Sequence, residues 1–205
     1  MRVNTNDTGQ AAGRTTAGLV ARAKAGDDAA YDALFAVAAE RARLFVRLRL
    51  GPALRTKLDV DDVLQEAYLE AHRSFGSFRY QGDGAFSRWL CRIIENRIRG
   101  LADHHDAKKR RAPEAMQRIS RIEHRVAAAR TGPQTAVLRG EQSARLVAAM
   151  DALDDAERET LLLRFFQDRT IDQIAHLTGR SPSAVRRLLG RSTRRLGTLL
   201  LDGGA

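Results

Sequence analysis

Two apolar stripes lie in succession between residues 59 and 111, and the surfaces beside them carry opposite charge. In the first, Val60, Val63, Leu64, Ala67, Tyr68 and Ala71 fall three and four apart. That spacing gathers side chains on one face of an α-helix. Asp59, Asp62 and Glu66 share a different face at the same spacing, with Gln65 beside them. In the second, Phe86, Trp89, Leu90, Ile93, Ile94, Ile98 and Leu101 form the stripe. Its other side carries Arg88, Arg92, Asn96, Arg99 and Asp103, and Lys108 to Arg111 extend the basic run. The glycine-rich segment SFGSFRYQGDG separates the two and reads as a loop. One-sided helices are stable only when the apolar side is covered. No window of the chain alternates with period two, so the expected fold class is all-α.

The remaining chain arranges itself around this block. Residues 1–15 are Asn-, Thr- and Gly-rich and read as a disordered tail. GLVARAKAG gives a first short helix stopping at Gly26, its cap Thr15 or Thr16. A long helix follows, with Tyr31, Leu34, Phe35, Ala38, Ala42, Phe45, Val46 and Leu48 as its stripe and Gly51-Pro52 as its end. From 112 to 142 the periodicity thins between Pro113 and Pro133, which predicts a flexible linker. Periodicity returns from 143 to 201, with Asp154 or Asp155, Thr170, and Ser181 or Ser183 as helix caps. Within it Ile171, Ile174 and Leu177 are expected to point inward. The predicted organisation is a tail (1–15), a helical domain (16–111), a linker (112–142) and a second helical domain (143–201).

Charge narrows the function. Lys and Arg number 35 against 25 Asp and Glu, a formal net charge of +10. A basic field of this size favours a polyanionic partner. Cys91 is the single cysteine, which excludes an internal disulfide and fits a reducing cytoplasm. No stretch reaches the roughly 20 apolar residues needed to cross a bilayer, so membrane insertion is not expected. His104, His105 and Cys91 lack the spacing of a metal site. The Asp59-Val60-Asp61-Asp62 run matches an acid motif of some terpene cyclases, but acids at a helix start face the helix dipole in any case. No catalytic centre, metal or cofactor is expected.

The C-terminal segment has the form of a helix-turn-helix. A short helix meets a turn at Gly179-Arg180-Ser181-Pro182, and a longer helix follows. From Gly179 to Arg195 there are six arginines (180, 186, 187, 191, 194 and 195) and no acid. In such motifs the second helix lies in the major groove of duplex DNA, where arginine forks onto guanine or grips phosphate. Phe78 and Tyr80, in the glycine loop, are candidates for stacking on unpaired bases, whereas Phe86 and Trp89 read as core.

The order of these segments resembles the extracytoplasmic-function group of the sigma-70 family of RNA polymerase sigma factors, over residues 18 to 201. AGDDAAYDALF resembles the family's opening helix. DVDDVLQEAYLEAHRSFGSFR resembles the stretch that docks on the clamp helices of the polymerase beta-prime subunit. GAFSRWLCRIIENRIRGLADHHDAKKRR resembles the helix that reads and opens the minus-ten element. MDALDDAERETLLLRFF and TIDQIAHLTGRSPSAVRRLLGRSTRRL resemble the domain that reads the minus-thirty-five element. The resemblance implies that Asp59, Asp62, Val63, Gln65 and Glu66 face the polymerase. It places Asn96 at the pocket for a flipped minus-ten base, with Arg79 and Tyr80 on the neighbouring loop and Arg92 and Arg99 along the same DNA face. It puts Arg180, Ser181, Ser183, Ala184, Arg186, Arg187 and Arg191 at the minus-thirty-five element. The implied partners are core RNA polymerase (beta-prime clamp helices and beta subunit flap), promoter DNA and an anti-sigma factor. The alternative is a stand-alone helix-turn-helix transcriptional regulator, in which an acidic helix beside the DNA face has no use. An RNA-binding protein, which would prefer unpaired RNA to duplex DNA, is a third reading.

Overall fold

A computed structural model describes the backbone of residues 16–108 and 133–202, and the side chains of 16–101 and 140–202. The expected tail, most of the linker and the basic residues Lys109 to Arg111 lie outside the described residues. Every regular element among the described residues is helical. In chain order they are α1 (16–24), α2 (Asp28–Arg55), α3 (Val60–Ser74), a short 3₁₀ turn (Phe75–Ser77), α4 (Ala85–Lys108), α5 (Pro133–Asp151), α6 (Asp155–Phe165), α7 (Ile171–Thr178) and α8 (Pro182–Asp202).

The described residues form two compact units. The first takes the chain up to Arg43 and again from Asp61 through α4; the second takes Leu44–Val60 and the chain from α5 onward. The sequence places 44–60 in the first helical domain, and helical periodicity predicts that Phe45, Val46 and Leu48 are buried, as they are. Gly51, at φ 60°, breaks the helical geometry of α2 where the sequence places an end, and one more turn follows through Pro52 to Arg55. Glycine takes this positive φ without the steric cost a side chain would carry.

In the first unit the stripes close on one another. Leu34, Phe35, Ala38 and Ala42 of α2, Val63, Leu64, Ala67 and Ala71 of α3, and Phe86, Leu90, Cys91, Ile94 and Ile98 of α4 are all buried. One end of this core is aromatic. Phe86 has Phe35, Trp89 and Phe78 at centroid distances of 5.1, 5.5 and 5.7 Å. Phe75 and Tyr31 extend the cluster, their rings edge to face at 5.1 Å. Tilted and edge-to-face pairs at these separations suit the ring quadrupoles.

The second unit is assembled around α8, which packs on α5, α6 and α7. Leu163, Ile174, Ala175 and Val185 form its central cluster, with Ile171 against it. Leu177 departs from its expected inward position and stands 48% exposed. In a helix as short as α7 the buried face is set by Ile174 and Ala175, and Leu177 falls on its flank. Helix α5 begins at Pro133, so the last residues assigned to the linker are helical. Proline is preorganised for a first helical position, where its missing N–H is not needed.

Candidate protein and nucleic-acid interfaces

Three surfaces carry the residues singled out in the sequence. The first is the outer side of α3. Asp61 and Asp62 occupy its first turn, where the dipole favours acids. Asp59 and Asp62 are exposed, and Gln65 and Glu66 are partly so. Two of the neighbouring carboxylates are tied within the unit: Asp61 pairs with Arg43 of α2 at 2.5 Å, and Glu66 pairs with Arg97 of α4. Val63 does not belong to this surface. It is 0% exposed and its side chain lies in the core, as its place in the Val60–Ala71 stripe requires. It can act on a partner only through the helix it holds in place.

The second surface is the outer face of α4 with the loop before it. Arg88, Arg92, Asn96 and Arg99 follow one another by four, four and three positions and therefore line one face. Arg92, Asn96 and Arg99 are exposed. Arg99 is aimed by Glu95, whose carboxylate accepts from the Arg99 Nε at 2.8 Å. Glu95 is itself buried. In the loop, Arg79 is exposed and Tyr80 partly buried. The Tyr80 hydroxyl donates to Asp83 Oδ1 at 3.3 Å. Partial burial first, and the Asp83 carboxylate second, push the Tyr80 phenol above its ordinary value, so it stays protonated. Phe78 is a correction. It is only 4% exposed, with Trp89 at 4.9 Å and Phe75 stacked at 6.1 Å. Of the two loop aromatics, Phe78 is buried and Tyr80 only partly so.

The third surface is the N-terminal half of α8. Thr170 and Gln173 cap α7 reciprocally, each side chain accepting the other's backbone N–H. Gly179 ends α7 in the left-handed conformation at φ 66°. Ser181 then caps α8, its Oγ accepting from the Ala184 N–H at 3.2 Å, with Pro182 in the first helical position. Val185 and Leu188 turn inward. Arg180, Ser181, Ser183, Arg186 and Arg187 are exposed together at this end, with Ala184 half-buried among them. The helix runs through Gly190 without a break, although glycine there costs about 1 kcal/mol relative to alanine. Burial of residues on either side, Leu188 and Ser192, holds it.

Arg191 has a buried partner that the sequence does not reveal. Its Nε meets Glu157 Oε1 at 3.3 Å, while Arg195 Nη1 meets Glu157 Oε2 at 2.7 Å. Glu157 is 1% exposed. It also accepts from the Asp154 N–H at 3.3 Å, completing a capping box at the start of α6. One buried carboxylate thus joins the start of α6 to the middle of α8. The Asp154-x-x-Glu157 spacing is a legible capping signal; the two arginine partners, far along the chain, are not.

Cys91 is buried, and burial pushes its thiol up to about 12, so it stays protonated and unreactive at neutral pH. Among the described residues no group of His, Cys, Asp and Glu is placed to hold a metal ion, and no helix is long and apolar enough to cross a membrane.

Two known family models match the chain: residues 37–108 match Sigma-70 region 2 and residues 143–196 match Sigma-70, region 4. SigM of Mycobacterium tuberculosis, an ECF RNA polymerase sigma factor, is 33% identical over 191 residues, covering 91% of this chain and 85% of SigM. The chain belongs to the extracytoplasmic-function group of RNA polymerase sigma factors. BldN of Streptomyces coelicolor, another ECF sigma factor, is 29% identical over 187 residues; the match takes in 90% of this sigma factor and 65% of BldN. The solved structure of CnrH in complex with the cytosolic domain of CnrY shares the fold, with a TM-score of 0.50 and 24% identity over 93% of this chain and 99% of CnrH. Members of the family are transcription initiation factors, and the three surfaces lie on the two domains that define it.

Proposed function

We propose that this sigma factor binds core RNA polymerase in the cytoplasm through the outer side of α3 and directs it to promoters. The beta-prime clamp helices meet Asp59, Asp62, Gln65 and Glu66, and the beta flap meets the second unit. Arg79, Tyr80, Arg92, Asn96 and Arg99 read and hold the minus-ten element as it opens. A base read on its pairing edge must leave the stack, and the basic face of α4 beside a loop that carries Tyr80 suits an unpaired strand. The start of α8 reads the minus-thirty-five element in the major groove: arginines 180, 186 and 187 supply base and phosphate contacts, and the exposed Ser181 and Ser183 reach the backbone. The chain makes and breaks no bond itself; the polymerase does the chemistry. CnrH was solved bound to another protein's cytosolic domain, and an anti-sigma factor is the corresponding partner proposed here.

One observation carries this reading: a single chain joins a region 2 domain with an exposed acidic helix to a region 4 helix-turn-helix. A stand-alone regulator needs only the second. The test is core binding with the charge reversed. Asp62→Arg is expected to weaken association with core polymerase by about tenfold or more, because like charges opposed across an interface cost on the order of kcal/mol. Asp62 is exposed, so helical content should be unchanged, and replacing an acid in the first turn of α3 should cost no more than about 1 kcal/mol of stability. Wild-type protein that fails to bind core polymerase, or Asp62→Arg protein that binds as well as wild type, contradicts the reading.

A further inference from the structure

The loop at 79–84 is held at both ends by cations on main-chain carbonyls, and neither cation belongs to the loop. Lys24, on α1, reaches across the first unit to the 3₁₀ turn, donating from Nζ to the Phe78 carbonyl, with the Gly76 carbonyl at 3.4 Å. Carbonyls at the end of a helical turn lack helical partners and carry partial negative charge, so an ammonium suits them. The Phe78 ring is meanwhile gripped from the inside by Phe75, Phe86 and Trp89. Residue 78 is therefore fixed from the core side by its ring and from the surface side by its carbonyl. At the other end Arg88, on the first turns of α4, donates from Nη1 to the Asp83 carbonyl at 2.7 Å. The Tyr80 hydroxyl closes the loop on itself through Asp83 Oδ1.

We infer that Lys24 and Arg88 are positioning residues that set the conformation of the 79–84 loop and through it the selectivity for an unpaired promoter base. The inference rests on the minus-ten reading given above. Arginines that follow the DNA backbone supply affinity without sequence information. Selectivity needs a pocket whose walls are in place before the base arrives, because ordering a loose loop on binding costs free energy. Releasing the loop should therefore lower discrimination between bases more than it lowers affinity.

Trp89 is the sole tryptophan and packs directly on Phe78, so it reports on the anchorage without any DNA present. The experiment compares wild type, Lys24→Met and Lys24→Arg, all expected to fold because Lys24 is exposed; equal helical circular dichroism checks this, with Lys24→Gln replacing Lys24→Met if that variant loses signal. In the free protein, Lys24→Met should make Trp89 markedly more accessible to acrylamide, and Lys24→Arg should restore the wild-type value. Each protein is then assembled with core polymerase and offered a pool of fork-junction DNAs randomised at the unpaired upstream positions, and the bound fraction is sequenced. Wild type and Lys24→Arg should enrich a preferred base. Lys24→Met should reduce that enrichment by about threefold or more, the loss of one hydrogen bond to a charged group, at unchanged affinity for core polymerase. Wild-type behaviour of Lys24→Met in either readout overturns the inference while leaving the minus-ten reading in place. A wild-type holoenzyme that enriches no base overturns both.

Discussion

Phe86→Ala is expected to destabilise the first unit by about 3–5 kcal/mol, the usual cost of emptying a buried aromatic site. Phe86 is 2% exposed and stands at the centre of the aromatic cluster, with Phe35, Phe75, Phe78 and Trp89 all around it. These neighbours come from α2, the 3₁₀ turn, the loop and α4, so no single shift of one element closes the space. A loss of this size is a large part of the 5–15 kcal/mol that stabilises a typical domain. Trp89 fluorescence during denaturant unfolding follows this unit directly, and its midpoint should fall well below that of wild type. A midpoint unchanged within error would mean that the aromatic cluster does not hold the unit together. Core binding and minus-ten contacts should fail together in this variant, because α3, α4 and the loop share the core.

The second large effect is expected at Glu157. Glu157→Ala removes the reciprocal half of the α6 capping box and the common partner of Arg191 and Arg195. Loss of a cap costs about 1 kcal/mol. The lost charge-assisted hydrogen bonds add about 1–2 kcal/mol, held to the low end because both arginine side chains are about half or more exposed, 64% and 49%, and can return to water. The expected total is about 2–3 kcal/mol, read as a fall in the melting temperature of the second unit. Glu157→Gln keeps an acceptor for the Asp154 N–H and should recover the capping part alone. The DNA consequence has a distinct sign. Removing one buried negative charge leaves α8 more basic, so non-specific duplex binding at low salt should hold or rise, while discrimination of the minus-thirty-five sequence falls as α8 loses its tie to α6. Equal melting temperatures for all three proteins would show that the carboxylate clamp carries no stability.

What the sequence discloses and what it withholds follow physical range. Features set by neighbours a few residues apart are legible. The three-and-four stripes of α2, α3 and α4 mark the buried side chains; Gly179 and Thr170 bound α7; and Ser181 with Pro182 begins α8 where the motif places it. Features set by distant partners are not. Phe78 reads as a loop aromatic until Phe75, Phe86 and Trp89 enclose it. Val63 satisfies both a family motif and an apolar stripe, and burial decides for the stripe. Glu157 is visible as a helix cap but not as the partner of arginines 34 and 38 positions away. Lys24 is one of many surface cations until it is seen on a carbonyl 54 positions distant. The start of α5 inside the expected linker is a case of weak periodicity, where a proline at the first helical position was the better signal.

The proposed function requires that this chain give core polymerase a promoter preference it otherwise lacks. The direct measurement is in vitro transcription from a pool of bacterial genomic fragments, with core polymerase alone and with core polymerase plus this protein, followed by sequencing of transcript 5′ ends. Start sites should appear only when the protein is present, preceded by two common sequence elements at a fixed separation, and be lost with Asp62→Arg. Transcript ends identical with and without the protein would contradict it.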